Sequence, residues 1–190
     1  MKLPFLLLGL VGAGSQKISS AVRFPSFVAH DLNGRQVVVP RDAPTELTLV
    51  VVAFQRWHQA DVDRWLRSAA PLLAQHPELD YLELPVLRRF NRVTRWWIDQ
   101  GMRSGIPGQD QRARVVTLYT DKQAFRKRAG IAGEEAIHLF LIQRDGEILW
   151  RERGGVTPVA LATLERAIRI HAGSDSQEAS SAAWPASSGD

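Results

Sequence analysis

The stretch LTLVVVAFQRWHQADVDRWL, residues 47–66, decides how the chain reads. Leu47 to Phe54 is almost wholly apolar and β-branched, the pattern of a central strand buried on both faces. Val62, Trp65 and Leu66, continued by Ala69, Leu72 and Leu73, follow a helical period, so a helix is expected from about Ala60 to Gln75. Between strand and helix lies the turn Gln55-Arg56-Trp57-His58-Gln59-Ala60. In an α/β sheet such a junction opens at the carboxyl end of the strand, where ligands bind. The start of a helix there also favours negative charge.

Working outward, "FPSFVAHDLNGRQVVVP" carries two apolar runs around Asn33-Gly34, a strong hairpin signal. "YLELPVL" and "ARVVTLY" read as further strands, and "AIHLFLIQRDGEILWRERG" as a hairpin around Arg144-Asp145-Gly146. "RRFNRVTRWWIDQGM" is expected to be a helix whose stripe Phe90, Val93, Trp97 and Met102 faces the core, with Arg88, Arg92, Arg95 and Asp99 on another side. "TDKQAFRKRAGI" is a helix closed by Gly130, and "TPVALATLERAIRIHAG" a last helix with Thr157 as N-cap and Pro158 at its first position. The order is hairpin, β, α, β, α, β, short α, hairpin, α. It builds an α/β domain with a mixed central sheet and helices on both faces.

The chain has 190 residues, the size of one domain with a substantial core. It contains no cysteine, which excludes disulfides, thiolate catalysis and cysteine-based metal sites. The net charge is +4, concentrated between Arg88 and Arg128, where eleven Lys or Arg stand against three Asp. A basic middle suits an acidic partner: a protein face, an anionic membrane surface or nucleic acid. The opening MKLPFLLLGLVGAGSQ has one Lys, an apolar run and then small residues, the pattern of a secretory signal peptide. The domain organisation read from these signals is a leader over residues 1–20, a folded domain over 22–172 and a disordered tail over 173–190. The leader predicts a periplasmic or secreted protein, the alternative being a cytoplasmic one.

The C-terminal block resembles the end of a thioredoxin fold, in which a strand, a Gly turn, a return strand, a glycine step and a last helix follow in order. "LFLIQRDGEILWRERGGVTPVALATLERAI" holds each part. "FPSFVAHDLNGRQVVVP" resembles the N-terminal hairpin of the peroxiredoxin-like branch, and together the resemblance spans about Phe24 to Ile170. Two hallmarks of that superfamily's redox chemistry are missing. No CxxC stands at Gln55–Ala60, and Ile137 or its neighbour stands where the resemblance places the cis-proline before the hairpin strand.

Within the superfamily, the chain resembles the cysteine-free assembly proteins of the mitochondrial ATP synthase membrane sector and their bacterial relatives. The shared elements are Phe54-Gln55-Arg56 with a spaced Trp65, Arg103-Ser104-Gly105-Ile106-Pro107, and the run from Leu139 through Trp150 to Gly154-Gly155 and Thr157-Pro158. Leu149 stands where that family has a base, and Gln55 displaces its Arg by one position. The resemblance implies a non-redox binding module that assembles protein partners at a membrane.

The candidate binding residues are Arg56, Trp57 and His58 in the turn, His138, which the thioredoxin register places beside His58, and Trp150. His58 and His138 could hold a metal with Asp61 or Asp63 as third ligand, but no further histidine supports such a site. No metal and no cofactor is therefore assigned. Asp61 and Asp63 lie two apart on a helix and cannot face each other as a catalytic pair. No G-x-S-x-G, G-x-G-x-x-G after a strand, Walker loop or HExxH occurs, and no enzyme activity is expected. Arg88, Arg92, Arg95 and Arg103 form the expected basic patch, for a protein or anionic-lipid partner rather than nucleic acid.

Overall fold

The computed structural model describes residues 23–181, with side chains to Ala172. The expected leader at residues 1–20 lies outside the described residues. The strands are β1 (Phe27–Asp31), β2 (Gln36–Val39), β3 (Leu47–Ala53), β4 (Leu79–Leu87), β5 (Val116–Tyr119), β6 (His138–Gln143) and β7 (Ile148–Arg153). The helices are α1 (Gln59–Gln75), α2 (Arg92–Gly105), α3 (Gln109–Ala113), α4 (Lys122–Ala129) and α5 (Pro158–Ser181). One seven-stranded sheet runs in the order β2-β1-β5-β4-β3-β6-β7. β3 pairs in parallel with β4, and β4 with β5; every other pairing is antiparallel.

β3 is the axis of the molecule because its side chains alternate between two apolar layers. Val50 and Val52 pack with Leu82, Leu84, Val86, Phe140 and the α4 residue Phe125 on one face. Leu49 and Val51 pack with Val62, Trp65, Leu139, Leu164 and Ile168 on the other, under α1 and α5. α1 buries Val62, Trp65, Ala69 and Leu72, the expected stripe, and keeps Pro71 on its solvent side, where the lost ladder bond is cheapest. The Trp65 indole N–H donates to the Gly154 carbonyl at 2.8 Å, joining α1 to the step after β7.

The hairpin at Asn33-Gly34 forms as expected, with Gly34 at φ 87°, a value that favours glycine. α4 starts on Asp121, whose carboxylate accepts from the backbone of Gln123 and Ala124, and ends on the left-handed Gly130. Thr157 Oγ1 accepts from the Ala160 backbone N–H at 3.1 Å and caps α5. That helix continues to Ser181, nine residues into the stretch read as a disordered tail. Each added residue extends an existing hydrogen-bonded ladder, and no proline intervenes before Pro185.

α2 departs from its expected orientation. No residue of α2 is buried, and Val93 and Trp97 are each 67% exposed. The polar side turns inward instead: Arg95 lies over the Tyr119 ring at 4.4 Å, and Asp99 accepts from the Tyr119 hydroxyl at 2.7 Å. Phe90 is half-buried against Tyr119, with ring centres 6.5 Å apart. The helical period locates an apolar stripe; it does not say that a core lies beneath it.

Candidate functional site

The junction after β3 is built in two layers. Phe54 is buried, and the chain leaves it through a single 3-10 turn, Arg56–His58, closed by the His58 N–H donating to the Gln55 carbonyl at 3.1 Å. That turn rotates successive side chains in different directions. His58 points inward and is 1% exposed; Arg56 is exposed and Trp57 is 70% exposed. The two rings meet edge to face, 6.0 Å apart.

The inner layer is sealed. His58 Nδ1 accepts from the Phe54 backbone N–H at 3.3 Å, so the proton of the neutral ring sits on Nε2, which has no hydrogen-bond partner among the described residues. His138, at the start of β6, is also buried; its Nε2 bonds the Gly133 carbonyl at 3.1 Å and its ring meets Phe54 edge to face. Burial pushes the His138 imidazole below its ordinary value; the bond to the Gly133 carbonyl opposes this, and the charge of Arg153 adds to it. Among the described residues, no three His, Cys, Asp or Glu side chains converge to hold a metal ion. Asp61 is paired with Arg64, and Asp63 accepts from Gln59.

Glu134 ties the junction to α4. Its carboxylate pairs with Lys122 and with Arg126 and accepts from the Gln55 amide at 3.5 Å. Lys122 also donates to the Phe54 carbonyl at 3.3 Å. These contacts neutralise the basic side chains nearest the turn and leave Arg56 as its exposed cation. Glu134 gives no signal in sequence, because it lies 79 positions from Gln55 and only the fold joins them.

Trp150 is not part of this face. Alternation along β7 turns it to the α1–α5 layer, where it meets Trp65 edge to face at 6.1 Å and donates to Thr163 Oγ1 at 3.1 Å. Its role is to staple α5 to the sheet. The expected basic patch also divides. Arg95 stacks on Tyr119, and Arg103 donates to the Leu32 carbonyl at 2.7 Å, so both hold structure. Arg88 and Arg92 remain exposed, as does Arg89.

A cleft of about 670 Å³ between α1, β4 and the end of α2 was not foreseen. Leu66, Tyr81, Pro85, Met102 and Ile106 give it apolar walls, and Glu83 lines it between Tyr81 and Pro85 on β4. Burial raises the Glu83 carboxyl above its ordinary value; the Gln59 amide bond opposes this, and the Asp63 charge adds to it. The one hint in sequence is that "YLELPVL" gives its inner face to Leu82, Leu84 and Val86 and its other face to Tyr81, Glu83 and Pro85.

No family model matches the sequence, and no curated relative does. Solved structures match over most of the chain. The thioredoxin domain of a thiol-disulfide oxidoreductase from Bacteroides vulgatus is 18% identical, with a TM-score of 0.52, covering 77% of this chain and 95% of that one. BsSco, of the Sco family of cytochrome c oxidase assembly proteins, is 11% identical, with a TM-score of 0.56, covering 81% and 95%. A thiol-disulfide oxidoreductase from Bacteroides fragilis is 12% identical, with a TM-score of 0.52, covering 77% and 98%. With these likenesses and the sheet order described above, the chain has the thioredoxin-like fold.

Proposed function

We propose that this chain is a non-redox thioredoxin-fold binding module, an assembly or chaperone-like factor that docks a protein partner beside a membrane. The observation that carries the reading is the split of the junction. Arg56 and Trp57 are offered to solvent where thiol proteins of this fold place sulfur, while Phe54, His58 and His138 are sealed beneath them. A guanidinium beside a largely exposed indole suits a protein segment carrying an acid and an apolar side chain. With no cysteine in the chain, the face binds without thiol electron exchange. The apolar leader supports a place outside the cytoplasm. The resemblance to the ATP synthase assembly proteins, and the use of the same fold by a cytochrome c oxidase assembly protein, support work on a membrane complex.

Docking is reversible. Glu134 ties Gln55 to Lys122 and Arg126 of α4 and so anchors the start of the turn, which lowers the ordering cost when Arg56 and Trp57 meet the partner. The test is a photo-cross-linking residue in place of Trp57, compared in living cells with one in place of Thr163 on the opposite layer, with membrane and soluble fractions analysed separately. A reproducible complex through position 57, lost in Arg56→Glu with the fold intact, is the expected result. A soluble monomer with no adduct overturns the reading. The cleft at Glu83 favours a second reading, a small-ligand-binding domain, and that monomer result would direct ligand screening there.

A further inference from the structure

The outward face of α2 is both basic and aromatic. Arg92 and Trp96 are four residues apart, as are Val93 and Trp97, so they form two adjoining rows along one side of the helix. Trp96 is 54% exposed and Trp97 67% exposed. Their rings stand edge to face, 5.0 Å apart. Arg88 and Arg89 lead into the helix and are exposed, with Arg88 4.9 Å from the Phe90 ring centre. Asp99 is the one acid between Arg88 and Gln109, and it is turned inward onto Tyr119. The outward side therefore carries cations and indoles with no counter-charge of its own.

From this juxtaposition we infer that α2 is an interfacial helix that docks the domain on an anionic lipid bilayer, Trp96, Trp97 and Val93 entering the headgroup boundary and Arg88, Arg89 and Arg92 pairing with lipid phosphates. Indoles are suited to that depth, because one edge is apolar and the N–H reaches polar headgroups. Arginine stems can lie along the apolar layer while the guanidinium stays at the phosphates. Charge complementarity selects this occupant: three cations with no facing acid match a surface of negative headgroups. A single-stranded nucleic acid needs ring faces presented in series, whereas these two indoles block each other edge to face. The inference rests on the reading of a binding module beside a membrane, but uses a different face from Arg56 and Trp57.

Sedimentation of the purified full chain with phosphatidylcholine vesicles, with and without phosphatidylglycerol, tests it. Wild type is expected to partition onto the anionic vesicles beyond its binding to neutral ones, with the excess falling as salt rises. Arg89→Glu/Arg92→Glu should weaken that excess at least about tenfold, and Trp96→Ser/Trp97→Ser should abolish it. None of these residues is buried, so the variants keep the wild-type circular dichroism and urea midpoint. Arg56→Glu/Trp57→Ser should bind vesicles as wild type does. Equal binding to both vesicle types, or binding indifferent to the α2 variants, overturns the inference and assigns the affinity to the apolar leader. Wild-type vesicle binding by α2 variants that lose a cross-linked protein overturns it in favour of a protein face. Failure here with the position-57 cross-link intact leaves the proposed function standing, and the reverse result leaves the lipid surface standing without the partner.

Discussion

The Tyr119 hydroxyl donates to Asp99 at 2.7 Å while the Arg95 guanidinium lies 4.4 Å from the centre of the same ring. One strand-end tyrosine thereby holds the charged side of α2 against the sheet and turns its tryptophans outward. Burial raises the Tyr119 hydroxyl well above its ordinary value of 10.0, with the bond to Asp99 acting in the same direction.

Replacing Tyr119 with Phe should cost about 1–2 kcal/mol, since it removes a hydrogen bond to a charged, half-buried acceptor. Amide exchange over residues 92–105 should quicken more than exchange in β3. The raised value also carries a sign. The folded state keeps its proton when the unfolded chain gives its own up, so stability falls as pH rises past about 10. Urea midpoints at pH 9 and 10.5 should therefore drop less in Tyr119→Phe than in wild type. An equal drop removes Tyr119 from that account.

His138 predicts the opposite limb. Its imidazole is held below the ordinary 6.5, chiefly by burial, so the unfolded chain takes up a proton that the folded one resists. The stability this contributes is whole above that value and is lost as pH falls below it. Urea midpoints should decline between pH 7.5 and 5.5 in wild type and flatten in His138→Gln. An unchanged slope in the variant would place the decline elsewhere.

The turn at Gln55–His58 has the i to i+3 spacing of a CxxC motif without its cysteines. The His58 N–H to Gln55 carbonyl bond closes an i to i+3 turn, which brings the two α-carbons within about 7 Å, near the upper limit for a bridge. Wild type should be blank in insulin-reduction and peroxide assays. Gln55→Cys/His58→Cys should form an intramolecular bridge on mild oxidation, seen as loss of titratable thiol and a gel shift on reduction. Thiols that stay free under oxidant would show that the turn is not a bridging geometry.

Trp65 should be the most sensitive aromatic of the domain. It is fully buried and its N–H satisfies the Gly154 carbonyl. Trp65→Phe leaves a void and an unpaired carbonyl and should cost about 2–4 kcal/mol. Trp97→Phe, on the open face of α2, should change the urea midpoint little. Similar losses for the two would contradict the burial assigned to them.

The central strand, the amphipathic first helix, the Asn33-Gly34 hairpin and the caps at Gly130 and Thr157 were legible in sequence, because each is set by neighbours within a few residues. Glu134 was not legible at all, since its partners Lys122, Arg126 and Gln55 converge on it through the fold. Trp150 was assigned to the junction on its place in a motif, and period-2 alternation sends it to Trp65 instead.

The sequence by itself located the seven strands, the helices α1, α2 and α4 and the start of α5, and showed that cysteine chemistry is absent. Both follow from residue type and local spacing. Tertiary structure alone decided which side of α2 meets the protein. An amphipathic helix has two sides, and its period is the same whichever one is buried. The choice came from Tyr119, twenty residues beyond Asp99, which offers that carboxylate a hydroxyl and Arg95 a ring face. Satisfying a charge at the sheet edge turned the tryptophans to solvent, and so made an apolar stripe into an exposed surface.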